Sequence, residues 1–196
     1  MSIVSRIFPD IIWNIKEAEK KLYLTFDDGP TPEITEWVLN LLEQYNAKAS
    51  FFCIGKNVEK YPELFKKIKE QEHSVGNHSY SHINAWISPN KKYFNDIERA
   101  NILIESELFR PPYGKIKPSQ IKHLKEKYQI YVWDVLSKDY KQSLLPKNCY
   151  KRVLNLTKAG SVIVFHDTVK AKTNLQYTLP LVLKYYSNKG FEFCSL

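Results

Sequence analysis

Lys21-Leu22-Tyr23-Leu24-Thr25-Phe26-Asp27-Asp28-Gly29-Pro30 is the stretch on which the reading of this chain turns. Residues 21–26 are rich in apolar and aromatic side chains over a strand's length, and they run directly into two adjacent carboxylates and a Gly-Pro turn. The period then changes. Ile34, Trp37, Val38, Leu41 and Leu42 share one face of a helix expected from Pro32 to about Tyr45, with Thr31 as its cap and Pro32 in its first turn. A strand, a polar strand end and a helix make a first βα unit.

The same switch of period recurs along the chain. Strands are expected at 49–54, 73–75, 130–134, 161–165 and 191–193, and helices at 62–71, 90–106, 118–127, 146–158 and 174–188. Pro111 and Pro112 exclude regular helix between Phe109 and Gly114. Alternation with short connections argues for parallel βαβ units, and about six or seven of them point to an open sheet or a barrel, of which the barrel is favoured. In either, ligands bind beyond the C-terminal ends of the strands. No repeat or linker divides the 196 residues, so one α/β domain over 1–196 is expected.

Composition narrows the function classes. There are 29 Lys and Arg against 21 Asp and Glu, a net charge of +8, which favours anionic partners. The charge is scattered, however, and no nucleic-acid motif accompanies it, so no nucleic-acid partner is expected. Cys53, Cys149 and Cys194 are odd in number and widely spaced, which reads as reduced core residues, not a disulfide framework or metal knuckle. No window has the ~18 uninterrupted apolar residues of a membrane span. Met1 to Asp10 is too short in apolar residues for a secretory signal.

Polar residues at or beyond the expected strand ends form a dense set: Asp27 and Asp28, His78 and His82, Arg110, Asp134 and Asp139, His166 and Asp167. His78-Ser79-Tyr80-Ser81-His82 puts two imidazoles four residues apart, on one side if the segment makes a helical turn. Two His and one carboxylate with an open position suit a catalytic divalent metal, zinc first, with cobalt, nickel or iron as substitutes. That spacing alone also fits a coincidental or core pair. The adjacent aspartates fit a turn or helix start too, but this accounts for one carboxylate better than for two. Two carboxylates emerging together can divide the labour, one on a metal and the other free as a base.

The motifs resemble those of the NodB-type polysaccharide deacetylases, carbohydrate esterase family 4. Thr25-Phe26-Asp27-Asp28-Gly29-Pro30 is similar to the first motif, His78 to His82 to the second and Arg110-Pro111-Pro112-Tyr113-Gly114 to the third. Trp133 to Tyr140 resembles the fourth and Val162 to Asp167 the fifth, so all five follow in order within 20–170. The resemblance implies a distorted (β/α) barrel of about seven strands, with a metal held by Asp28, His78 and His82. It also implies Asp27 as general base, His166 as general acid, the Tyr113 N–H on the oxyanion, Arg110 paired with Asp27, and Asp139 paired with His166.

Two positions depart from the family pattern: Tyr140 stands where Trp is usual, and Val164 and Phe165 where leucines are usual. Both are expected to alter the acetyl pocket and with it acyl and sugar specificity. Tyr80, Trp86 and Tyr113 are candidates for stacking on sugar rings, Trp86 equally for core packing. His73 and His123 read as structural or exposed. The expected substrate is an acetylated oligo- or polysaccharide, deacetylated at nitrogen. The alternatives are O-deacetylation of xylan or another glycan, and an inactive carbohydrate-binding member. With no export signal read in the sequence, a cytoplasmic role on a soluble oligosaccharide or sugar precursor is expected.

Overall fold

A computed structural model describes residues 8–16 and 19–196. Most of the N-terminal stretch on which the absence of a secretory signal was read, residues 1–7, lies outside them. In chain order the elements are β1 (Ile11–Ile12), β2 (Lys21–Asp27), α1 (Ile34–Gln44), β3 (Ala49–Cys53), α2 (Gly55–Lys60), α3 (Pro62–Glu70), β4 (Ser74–Asn77) and α4 (Asn90–Ile104). They continue with β5 (Leu108–Phe109), a 3-10 turn (Pro112–Gly114), α5 (Pro118–Leu124), β6 (Gln129–Tyr131), β7 (Val135–Leu136), α6 (Pro146–Leu156), β8 (Val162–His166), α7 (Lys172–Ser187) and β9 (Glu192–Phe193).

The strand order is β1-β6-β5-β4-β3-β2-β8-β7, with β9 paired to the start of β2, and the paired strands are parallel. β6 lies next to one edge of this order and β7 at the other, yet only residues 132–134 join them. At ~3.4 Å per residue that link cannot cross the roughly 30 Å of a flat sheet, so the sheet must curl until its edges approach. The Ile15 N–H donates to the Gly160 carbonyl at 2.9 Å, joining the β1 side to the start of β8, and further polar contacts fasten the two ends of the 132–134 link. The Val132 N–H donates to the Ile12 carbonyl at 2.9 Å, and the Asp134 carboxylate accepts from the Val162 N–H at 2.9 Å and the Ser161 hydroxyl at 3.0 Å. The result is the distorted (β/α) barrel.

Strand alternation sorts the chemistry. Leu24 and Phe26 on β2, Phe51 and Cys53 on β3, and Ile163 and Phe165 on β8 join one core with α1, α3 and α7. Thr25, Asp27, Phe52 and His166, one residue out of phase, are left for the barrel interior and its mouth. A second core of Tyr93, Ile97, Phe109, Ile121, Leu124 and Ile130 packs α4 and α5 onto β5 and β6.

Nine strands are present among the described residues instead of about seven: β1 and β5 have two residues each, too few to show a period, β7 is equally short, and β9 is the closing strand expected at 191–193. The strand expected at 130–134 ends at Tyr131 as part of β6, because residues 132–134 cross the seam to β7. Thr31 does not cap α1. Its N–H donates to the Thr35 hydroxyl at 2.8 Å, and the helix begins at Ile34 after Glu33 with φ 64°. Phe165 belongs to the buried core and stacks on Phe26 with ring centroids 6.1 Å apart, so it does not shape an acetyl pocket as expected from the sequence. All three cysteines are free, Cys53 and Cys149 buried.

Candidate active site

The site starts from the sheet. Asp27 and His166 are register partners on the adjacent strands β2 and β8, so their side chains leave the same face at the same level. Asp27 is buried. Its Oδ1 accepts a 2.6 Å hydrogen bond from the Arg110 guanidinium, which also donates to the Thr25 hydroxyl at 2.7 Å and the Val132 carbonyl at 3.0 Å. Arg110 is 0% exposed and lies over the Phe52 ring at 3.9 Å. Burial alone would raise the Asp27 pKa, but the Arg110 charge, with His78 and His166, holds the carboxyl below its ordinary value. His166 has the opposite balance. Burial would lower its pKa, but Asp139, whose Oδ1 accepts from Nδ1 at 2.7 Å, pushes it up to about 9. The second Asp139 oxygen accepts the His166 backbone N–H at 2.8 Å, which fixes the pair as a unit.

The two other histidines come from a loop. Ser79 (φ 62°) and His82 (φ 55°) have left-handed backbones, so residues 78–82 are not the helical turn considered from their spacing. Side chains hold the loop instead. The Asp96 carboxylate, on α4, accepts from the Tyr80 N–H and Ser81 N–H at 2.9 Å each and from the Ser81 hydroxyl at 2.7 Å. Asn77 Oδ1 accepts the Ser79 N–H at 2.8 Å, and the Ser79 hydroxyl accepts the Ile83 N–H at 3.1 Å. The start of α2 joins this loop to the Asp28 turn: Gly55 and Lys56 N–H donate to the Ser79 and Tyr80 carbonyls, while Asn57 Nδ2 donates to the Asp28 carbonyl at 2.8 Å.

Asp28, His78 and His82 converge, their ligand atoms all within 4.8 Å of one another. Asp28 Oδ1 lies 3.2 Å from His82 Nε2 and 3.5 Å from His78 Nε2, and it is buried with no hydrogen-bond partner among the described residues. Two atoms bound at ~2.0–2.1 Å to one tetrahedral ion would be roughly 3.3–3.4 Å apart, which these separations match. The Arg110 carbonyl can only accept, so the 2.8 Å contact fixes the His78 proton on Nδ1 and leaves the Nε2 lone pair free. Burial above all pushes the His82 pKa down to about 4, which keeps that imidazole neutral. The donor set therefore fits a divalent metal.

The cleft over these groups encloses about 430 Å³ and is lined by Asp27, Asp28, His78, His82, His166 and Tyr140, with Tyr113, Lys115, Trp133, Leu136, Thr168 and Lys170 around them. Tyr140 packs edge-on against His166 at 4.9 Å, and Tyr113 edge-on against His82 at 4.4 Å. Tyr113 has φ 62°; the bonds of its turn are made by Gly114 and Lys115 N–H groups on the Pro111 and Pro112 carbonyls, leaving the Tyr113 N–H outside that pattern. Gly114 is required because a Cβ there would come within 2.7 Å of the Trp133 ring.

All eight site residues expected from the sequence meet at this one end of the barrel. Asp134 does not: its carboxylate caps the start of β8, at the opposite end of that strand from His166. Asp167 lies behind the site, where it accepts from the Thr35 hydroxyl and crowds Gly29, and burial pushes its pKa up to about 7. Tyr80 is not free to stack on a sugar from the cleft, since Arg99 covers its ring at 3.5 Å and its hydroxyl donates to the Glu59 carboxylate. His73 is buried as a structural acceptor of the Ala49 N–H, and His123 is exposed against Phe94. Asp96 and Asn57 were missed. They carry no motif, and only the tertiary fold brings them to the loop.

Comparison with known proteins agrees with this geometry. A family model described as polysaccharide deacetylase matches residues 14–132. A peptidoglycan-N-acetylglucosamine deacetylase of Bacillus cereus is 32% identical over 95% of this chain and 91% of its own. Other relatives are longer: the chain spans 55% of a second Bacillus cereus enzyme of that name and 38% of the peptidoglycan-N-acetylmuramic acid deacetylase PdaC of Bacillus subtilis, to which it is 30% identical. Among solved structures, a peptidoglycan N-acetylglucosamine deacetylase in complex with an N-hydroxybenzamide compound superposes with a TM-score of 0.90 at 33% identity, covering 98% of this chain and 94% of that one. A family match over more than half of the chain, and relatives alike along nearly all of it, make this protein a member of the NodB-type polysaccharide deacetylases, carbohydrate esterase family 4, and a polysaccharide deacetylase.

Proposed function

We propose that this deacetylase hydrolyses the N-acetyl groups of N-acetylglucosamine-containing glycans, with a divalent metal, zinc first, held by Asp28, His78 and His82. The observation that carries the reading is the pair of opposed protonation states across one cleft. Asp27 is kept ionised by Arg110, and His166 is kept protonated to about pH 9 by Asp139. Titratable neighbours whose environments push their pKa values apart are the signature of an assigned base and acid.

When bound, the metal would supply Lewis-acid activation of the acetyl carbonyl and of the attacking water. Asp27 takes the proton of that water on Oδ2, the oxygen Arg110 leaves free. The Tyr113 N–H donates to the oxyanion that develops on the carbonyl. His166 Nε2 gives its proton to the amide nitrogen as the C–N bond breaks, because an unprotonated amide nitrogen leaves poorly. Acetic acid and the amine leave, ionising in solvent to acetate and ammonium, and Asp27 releases the proton it gathered while His166 takes one up, so both return to their starting states. The relatives named for N-acetylated peptidoglycan sugars support the substrate class, and the N-hydroxybenzamide bound by the similar structure is a hydroxamic acid, a class that chelates divalent metals.

The test is acetate release from chitooligosaccharides by metal-stripped protein, with and without zinc or cobalt. Zinc-dependent release supports the proposal. Release that ignores metal, or release only from O-acetylated xylan, contradicts it.

A further inference from the structure

Two cations at the mouth of the cleft have no place in the chemistry above. Lys115 follows the 3-10 turn and Lys170 follows β8, so they reach the cleft from different loops. Neither meets a carboxylate among the described residues, as is true of most lysines here, and what sets these two apart is their place on the cleft wall. The Lys115 ammonium stands instead 5.0 Å from the centre of the Trp86 indole, which is 60% exposed. That cation–π contact holds the charge beside the cleft without neutralising it.

The acids of the cleft floor do not account for the two lysines either. Asp27 is committed to Arg110 at 2.6 Å and Asp139 to His166 at 2.7 Å, while Asp28 faces two imidazoles. A neutral N-acetylated glycan presents hydroxyls and amides, which gain little from two ammonium groups already solvated by water. A glycan with an anionic group next to the acetylated sugar brings opposite charge to the wall that both lysines line. The net charge of +8 adds long-range attraction of the same sign.

We propose that Lys115 and Lys170 form an anion-recognition pair, selecting glycans in which the deacetylated sugar adjoins a carboxylate or phosphate group. This rests on the deacetylase reading of the cleft and narrows its substrate class. Partly exposed ion pairs contribute little each, so the two together should favour the charged glycan by about 5- to 10-fold in kcat/KM at low salt, with the preference shrinking as salt rises.

The test compares kcat/KM at saturating zinc on four tetrasaccharides. They are chitotetraose, an alternating N-acetylglucosamine and N-acetylmuramic acid chain, the same chain with its lactyl carboxylates converted to amides, and chitotetraose 1-phosphate. The expected result is a preference for a charged chain over both neutral ones, abolished in Lys115→Gln/Lys170→Gln and retained in Lys115→Arg/Lys170→Arg. The carboxylate and phosphate arms identify which anion is read. Equal rates on charged and neutral chains, or a preference that survives the double glutamine substitution, would overturn the proposal. No acetate from any of the four would overturn the deacetylase reading itself, and this proposal with it.

Discussion

The two halves of the cleft are built by different means. Asp27 and His166 stand side by side on paired strands of the barrel, each with a buried partner, Arg110 or Asp139, so their geometry is inherited from the sheet. His78 and His82 sit on a loop with two left-handed residues, stitched in place by Asp96, Asn77 and the start of α2. Each function is therefore vulnerable in a different place. Damage to the sheet half should remove turnover that no added metal restores, and damage to the loop half should weaken metal binding and be rescued by excess metal.

The largest effect should come from the sheet half. Replacing His166 by Ala removes the group assigned to protonate the leaving nitrogen, and kcat should fall by on the order of 10²–10⁴ with zinc affinity within a few-fold of wild type, measured by chelator competition. Equal loss of zinc affinity would break the comparison. Arg110→Met, in the same half, strands the buried Asp27 charge and should destabilise the fold by about 3–5 kcal/mol, lowering Tm by roughly 6–20 °C in a thermal melt.

Asp139→Asn acts on the sheet half through pH. Because Asp139 raises the His166 pKa to about 9, activity in the wild type should fall as pH rises through about 9. In the variant that alkaline limb should move down toward ~6.5, the ordinary histidine value, in a pH–rate profile. The sign carries over to stability. A histidine with a raised folded-state pKa contributes stabilisation that is fully present below its unfolded value and lost as pH rises through about 9. The wild type should therefore lose Tm relative to Asp139→Asn between those limits.

The smallest effect belongs to the loop half. Asp96→Ala removes three hydrogen bonds from the residues between the two histidines. Zinc affinity should weaken by about 10–100-fold, as for other groups that orient metal ligands, and activity should return at high zinc. A variant that binds zinc normally but turns over slowly would place Asp96 in the wrong half.

How much of this was legible in the sequence follows the same division. The residues that deliver chemistry from strand ends were readable because β2 and β8 are apolar runs long enough to show their period, and each ends in its polar pair. The loop half was readable only as a spacing, His78 to His82, and its helical geometry was wrong because Ser79 and His82 adopt backbones that no periodicity announces. The two-residue strands β1, β5 and β7, the short helix α2 and the supporting Asp96 and Asn57 were not legible at all. Their positions follow from long-range packing and barrel closure, and no local pattern of residues encodes them.

If the adjacent carboxylates Asp27 and Asp28 have separate tasks, zinc affinity and acetate release will part company in Asp27→Asn and Asp28→Asn. The account predicts that Asp27→Asn binds zinc within a few-fold of wild type yet loses roughly 10²–10⁴ of its turnover, while Asp28→Asn loses the zinc. Two variants that lose zinc alike, or an Asp27→Asn protein that turns over normally, would contradict it.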